Sequence, residues 1–191
     1  MGLARSLRHL AGTPWAVRRA FPRSTLRAIE TAIHRSRAQH VGEIRFAVEG
    51  SLHGPRLYRG QTPRERALEA FSLLRMWDTE HRNGVLIYVL LADRAVEIVA
   101  DRGAHVKVGA PEWERICRRM ETAFKARRYE EGAVSGIEMV TRHLAAHFPS
   151  GGSGTSHAGG AGGAGGVSSA GDGRAGESRR GELPDSPIVL P

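Results

Sequence analysis

The residues with the most capacity for chemistry are carboxylates in two short polar stretches. Asp78 and Glu80 stand in Trp77-Asp78-Thr79-Glu80, and Asp101 opens Asp101-Arg102-Gly103. Glu43, Asn83, Arg102 and His105 accompany them. Three or four carboxylates beside backbone turns form the oxygen-donor set of a hard cation such as Ca²⁺ or Mg²⁺. On this reading Asp78, Glu80 and Asp101 hold the metal. A bound metal polarises a phosphate and activates water, so Asp101, Arg102 and His105 become the candidate catalytic group, with Arg102 or His105 meeting the phosphate. The competing reading is solvated loop acids paired with neighbouring arginines. Two further acids, Glu49 and Asp93, fall in different turns.

Other chemistries find little support. The chain has no phosphate-binding P-loop, no H-E-x-x-H and no G-x-S-x-G. Cys117, the single cysteine, sits on the apolar face of a helical pattern, where a thiol is inert. His143 and His147 are four apart on another helix but have no third ligand in view. Gly160–Gly165 spells G-x-G-x-x-G, yet no strand precedes it and no helix follows, so it fails as a nucleotide fingerprint.

The elements that must position these residues are organised around GVLIYVLLADRAVEIVADRG, Gly84–Gly103. Val85–Leu91 is an apolar run between turn signals and reads as a buried strand. Asp93-Arg94 returns the chain antiparallel into a second strand, Val96–Ala100. Upstream, Ile44, Phe46 and Val48 alternate with Arg45 and Ala47 in another strand. A helix capped at Ser24 or Thr25 precedes it, with Leu26, Ile29 and Ile33 at helical spacing. Thr62-Pro63-Arg64-Glu65 is a capping box opening a helix whose stripe is Ala67, Leu68, Phe71, Leu74 and Trp77. A loop is expected from Gly103 to Pro111. Pro111 then opens a helix carrying Trp113, Ile116, Cys117, Met120 and Phe124, and Arg127-Arg128 separates it from a last helix over residues 129–147.

The predicted fold class is α/β: an α/β/α sandwich whose small mixed sheet, a βαβ unit plus an antiparallel hairpin strand, is flanked by about four helices. This geometry puts Glu49 and Asp93 at one end of the sheet and Glu43, Asp78, Glu80 and Asp101 at the other.

The 191-residue chain divides into a basic arm (1–23), the folded domain (24–149), a Gly-rich disordered linker (150–182) and an apolar tail (183–191) that docks in extended form. Basic residues number 28 against 20 acidic, a net charge of +8. Such a balance suggests nucleic acid, anionic lipid or another acidic partner. Only Lys107 and Lys125 are lysine, so the excess reads first as a coding bias. The arginines are spread over all the helices, and Trp15, Trp77 and Trp113 read as packing residues, which argues against nucleic acid. No apolar run approaches the ~20 residues of a membrane span, and no secretory h-region is present. The expected compartment is therefore the cytoplasm, with the arm available for peripheral membrane contact.

Several segments together resemble the TPM-domain family, which includes a thylakoid lumen acid phosphatase and a modulator of acetylcholine receptors. They are Gly42-Glu43-Ile44-Arg45-Phe46, Trp77-Asp78-Thr79-Glu80, Asn83-Gly84-Val85-Leu86-Ile87-Tyr88, Ala92-Asp93-Arg94, Val96-Glu97-Ile98, Asp101-Arg102-Gly103, and Phe124 to Tyr129 with Gly132. The similarity spans Arg18–Phe148 and the tail, and it is to the short bacterial branch. It implies an α/β/α sandwich, a divalent-metal site in a surface cleft, weak acid phosphatase activity in some members, and a LemA-type membrane protein as partner. This chain departs from the family pattern at Ala20-Phe21-Pro22-Arg23, where an Asp is usual, at Asp101-Arg102-Gly103 in place of Gly-x-Gly, and at Gly109-Ala110 in place of an acid. The expectation is a binding or scaffold module that holds a divalent cation. The alternatives are a metal-assisted acid phosphatase and an adaptor acting through the basic arm.

Overall fold

Phe46 and Ala47 are fully buried on opposite faces of one strand, because helices cover the sheet on both sides. The computed structural model describes Arg5, His9 and residues 14–79, 81–150 and 185–190. Strand β1 (Glu43–Glu49) pairs in parallel with β2 (Gly84–Leu90), and β2 pairs antiparallel with β3 (Ala95–Ala100). The βαβ crossover and the returning hairpin are therefore as the sequence predicts. A fourth strand, β4 (Ile188–Leu190), comes from the tail and lies parallel to β1, giving the order β3-β2-β1-β4.

Seven helices are described. Four are long: α2 (Arg23–Ser36), α4 (Pro63–Leu73), α6 (Ala110–Lys125) and α7 (Tyr129–His147). Three are short: α1 (Pro14–Ala20), α3 (Pro55–Tyr58) and α5 (Arg102–Val108). One core joins Ile44, Phe46, Val85 and Ile87 of the sheet to Ile29 and Ile33 of α2, Ile116 and Met120 of α6, and Ile137 and Leu144 of α7. Val17, Ala20 and Phe21 join it, so the end of the basic arm packs into the domain. The other face is thinner: Leu86, Tyr88 and Leu90 meet Ala67, Ala70 and Phe71 of α4, with Leu52 and Met76. Each fully buried side chain of this size contributes ~1.5–3 kcal/mol.

The capping box at α4 is present in both directions: the Glu65 N–H donates to Thr62 Oγ1 (3.2 Å), and the Thr62 N–H donates to Glu65 Oε2 (2.8 Å). Its buried stripe differs from the expected one. Arg66, Ala67, Ala70 and Phe71 face inward, while Leu68 and Trp77 are exposed. Arg66 turns in to meet Glu49, and the helix stops at Leu73, after which Arg75 at φ 52° redirects the chain before Trp77. Trp15 is also exposed, so only Trp113 of the three tryptophans packs in the core. The expected loop after Gly103 is helix α5, with Asp101 as its N-cap and Gly109 (φ 87°) breaking it from α6. With Ala104 as its sole buried residue, α5 lacks the apolar period that marks a helix in sequence.

Candidate functional site

Of the predicted metal and catalytic residues, Asp101, Arg102 and His105 lie beside the start of β2. The Asp101 N–H donates to the Gly84 carbonyl (2.8 Å), which fixes the start of α5 against the 78–84 loop. The contact is close: a Cβ at Gly103 would lie 2.6 Å from the Arg82 carbonyl oxygen and 2.8 Å from that of His81. Asp101 Oδ1 accepts the Arg102 N–H (2.6 Å), while Oδ2 is buried with no hydrogen-bond partner among the described residues. Arg102 and His105 are exposed on the same first turn, and the Asp101 carbonyl accepts the His105 N–H (2.8 Å). Asp78 is exposed beyond α4. Glu80 lies outside the described residues, and among those described no three His, Cys, Asp or Glu side chains gather as a metal site. Asn83 is buried, and its Nδ2 donates to the Val41 carbonyl (3.3 Å). Glu43 meets Arg37 at 3.9 Å.

The two weaker candidates are occupied otherwise. Burial pushes the Cys117 thiol up to about 12, out of the nucleophilic range. His143 faces Glu112 at 3.5 Å, and burial lowers its pKa more than the Glu112 charge raises it.

The opposite end of the sheet is richer. Glu49 closes β1 fully buried, accepting from Arg66 Nε and from the Tyr88 hydroxyl, each at 2.8 Å. Asp93, in the β2–β3 turn, is bound by two residues of the basic arm. Arg5 Nη2 lies 2.7 Å from Oδ2, and His9 Nε2 lies 3.1 Å from Oδ1. The Leu52 N–H donates to His9 Nδ1 (2.9 Å), so the proton facing Asp93 is on Nε2. Burial would push the Asp93 carboxyl up, but the hydrogen bonds and charges of Arg5 and His9 hold it below the ordinary range.

Beside this anchor opens a crevice of about 670 Å³ at the carboxyl ends of β1 and β2, floored by Gly50, Leu91 and Ala92. Its rim carries Arg19, Arg94, Lys125 and Arg127, and its walls carry Trp15, Phe124 and Tyr129. Arg94 (φ 54°) and Arg127 (φ 60°) both stand in left-handed turns. Arg94, Lys125 and Arg127 make no ion pair with any described residue, and the Arg19 guanidinium lies over the Trp15 ring at 5.4 Å. Glu121, the one acid among the described lining residues, accepts the Val96 N–H at 3.1 Å. Open α/β sheets place ligands outside the carboxyl ends of their strands. Sequence reasoning missed this group because its cations come from α1, the β2–β3 turn and the α6–α7 junction. The signal was there in Arg94 and Arg127, basic residues in turns that the predicted topology places at one end.

Comparison with known proteins agrees with this architecture. The model of the TPM domain matches residues 18–143. The solution structure of the BA42 protein from the psychrophilic bacterium Bizionia argentinensis superposes with a TM-score of 0.62 at 25% identity, covering 87% of this chain and 93% of that one. The N-terminal domain of a protein from P. gingivalis gives a TM-score of 0.50 at 19% identity over 62% of this chain and 72% of that one, a likeness of fold. No curated protein matches. With the family model covering well over half of the sequence and the sandwich, sheet order and crossover in place, the chain belongs to the TPM-domain family.

Proposed function

We infer that this TPM domain is a binding module whose ligand is an anion seated in the crevice at the carboxyl ends of β1 and β2. The observation that carries the reading is the trio Arg94, Lys125 and Arg127, cations without ionic partners among the described residues, around an aromatic-walled cavity. Unpaired cations on one rim favour phosphate or carboxylate by charge, and guanidinium groups add bidentate geometry. Titration of the full chain with inorganic pyrophosphate, followed by amide shifts, tests it. Saturable shifts at Gly50, Ala92–Arg94 and Phe124–Tyr129, weakened about tenfold by Arg94→Glu or Arg127→Glu, are expected. Shifts elsewhere, or none, would remove the reading.

A second reading keeps a Ca²⁺ or Mg²⁺ ion at Asp78, Glu80 and Asp101, with metal-assisted phosphate hydrolysis aided by Arg102 or His105. It is supported by Asp101 Oδ2, buried without a hydrogen-bond partner among the described residues. The two candidate sites lie at opposite ends of a seven-residue strand, ~20 Å apart at ~3.3 Å per residue. The basic crevice therefore cannot serve a metal at Asp101, and this favours binding over hydrolysis across both. Metal titration of the intact chain, with a phosphatase assay of Asp101→Asn, separates the two readings.

A further inference from the structure

The free edge of β1 is closed by the chain's own tail, and the closure is partial. Of the described tail residues, only Ile188, Val189 and Leu190 pair with β1, opposite Ala47, Val48 and Glu49. Pro187 has no N–H to donate and ends the ladder there. Before it the tail is held by side chains: Arg37 Nε donates to Asp185 Oδ1 at 2.6 Å, and the Ser186 hydroxyl donates to Glu30 Oε1 at 2.6 Å. Among the described residues, no strand pairs with Glu43–Phe46 of β1 on that edge.

The two faces of β4 are filled unequally. Ile188 and Leu190 pack against the core that contains Ala47 and Leu52. Val189 points the other way and is half exposed. It forms one wall of an open groove of about 630 Å³ shared with Val17, Phe21, Pro22 and Leu26. Val189, half exposed, fills little of that groove, so apolar surface is left uncovered among the described residues.

We propose that the β1 edge is a docking site for an extended segment of another polypeptide, and that the tail is an exchangeable occupant holding it closed. The segment it takes copies the resident pattern: a carboxylate for Arg37, then apolar side chains three and five residues later. A larger apolar residue at the Val189 position fills the groove, and a segment without proline extends the ladder toward Glu43. Main-chain pairing supplies the affinity and the alternate side chains the selectivity, as in other strand-addition sites. The tail competes by tethering, since a linked segment has an effective concentration in the millimolar range. This inference is independent of the anion crevice.

The test uses the full chain and two labelled peptides in fluorescence polarisation. One copies residues 183–191; the other carries Phe at the Val189 position. In a full-length I188D/L190D variant, the tail is unlatched. That variant is expected to bind the Phe peptide at least about tenfold more tightly than the intact chain does, because the tethered competitor is gone. It should also prefer the Phe peptide over the resident sequence by about tenfold, from the added apolar burial. Adding Arg37→Glu should weaken both peptides by about tenfold, through the lost charge-assisted contact. On the intact chain, saturating Phe peptide should speed hydrogen exchange at the Ile188 and Leu190 amides. That measurement stands even if the unlatched variant does not fold. Absence of both saturable binding and faster exchange would overturn the proposal. So would a concentration-dependent dimer of the intact chain that disappears with I188D/L190D, because the edge would then belong to a second copy.

Discussion

Arg66 Nε and Glu49 Oε2 lie 2.8 Å apart with their side chains 3% and 1% exposed, an ion pair almost without water. The Tyr88 hydroxyl donates to the same oxygen, and burial together with the Glu49 charge holds that hydroxyl far above the ordinary tyrosine range. Two charges taken out of water are tolerable only as a pair, and removing one strands the other. Glu49→Gln should therefore lower stability by ~3–5 kcal/mol in urea denaturation, while the double variant Glu49→Met/Arg66→Met should lose less than that single change. If the double loss equals the sum of the two singles, the pair is not coupled in this way.

His40 sets an acid limit. It is buried at the junction of α2 with the end of α7, and neither ring nitrogen makes a well-formed hydrogen bond among the described residues. Burial pushes its pKa down from 6.5 to about 4, and the Arg37 charge acts in the same direction. A folded pKa below the unfolded one means that the unfolded chain binds the extra proton. The stability is fully present above about 6.5 and is lost as pH falls toward about 4. A difference of this size corresponds to ~3 kcal/mol. Denaturant midpoints should fall between those pH values, and His40→Leu should flatten that part of the profile. Asp93, whose carboxyl is held low, loses its contribution only below its ordinary value of 3.8, so the two windows separate.

Two glycines should respond differently to the same added methyl group. A Cβ on Gly84 would collide with the Met76 backbone carbonyl, which cannot give way without moving the loop that follows α4. On Gly136 it would collide with the Met120 side chain, a flexible thioether. Gly84→Ala is expected to cost ~3 kcal/mol or more, and Gly136→Ala ~1 kcal/mol with a rotated Met120, both read by thermal melting. Equal losses would mean that the core around Met120 is as unyielding as backbone.

The Cys117 thiol should behave as a small apolar side chain. With its pKa pushed up to about 12, it should react with a thiol reagent at pH 8 only when denaturant opens α6. Fast labelling of the folded chain would show that Cys117 is reached without unfolding.

The sheet was legible because its signals are local. Val85–Leu91 is too long and too apolar to be anything but covered on both faces, and Asn83-Gly84 and Asp93-Arg94 bound it. The Thr62 cap and Pro111 in a first turn marked two helix starts for equally local reasons. Helix α5 was not legible, since a seven-residue helix burying one alanine has no period to read. Arg66 was missed because a charge at a core position looks like an error in the stripe until Glu49 is seen across from it. The candidate site divides the same way. Asp101, Arg102 and His105 are consecutive enough to share one turn, whereas Arg19, Arg94, Lys125 and Arg127 meet only through the fold.

The pairing of β4 with β1 also has a consequence for synthesis. Ile188 follows its partner Ala47 by 141 positions. At ~5–20 residues per second, β1 leaves the ribosome on the order of ten seconds before its final neighbour exists. Through that interval its edge is exposed to any other nascent strand. Glu43 and Arg45, two charged residues on one face near the start of β1, make such an edge less prone to pair indiscriminately until the tail arrives.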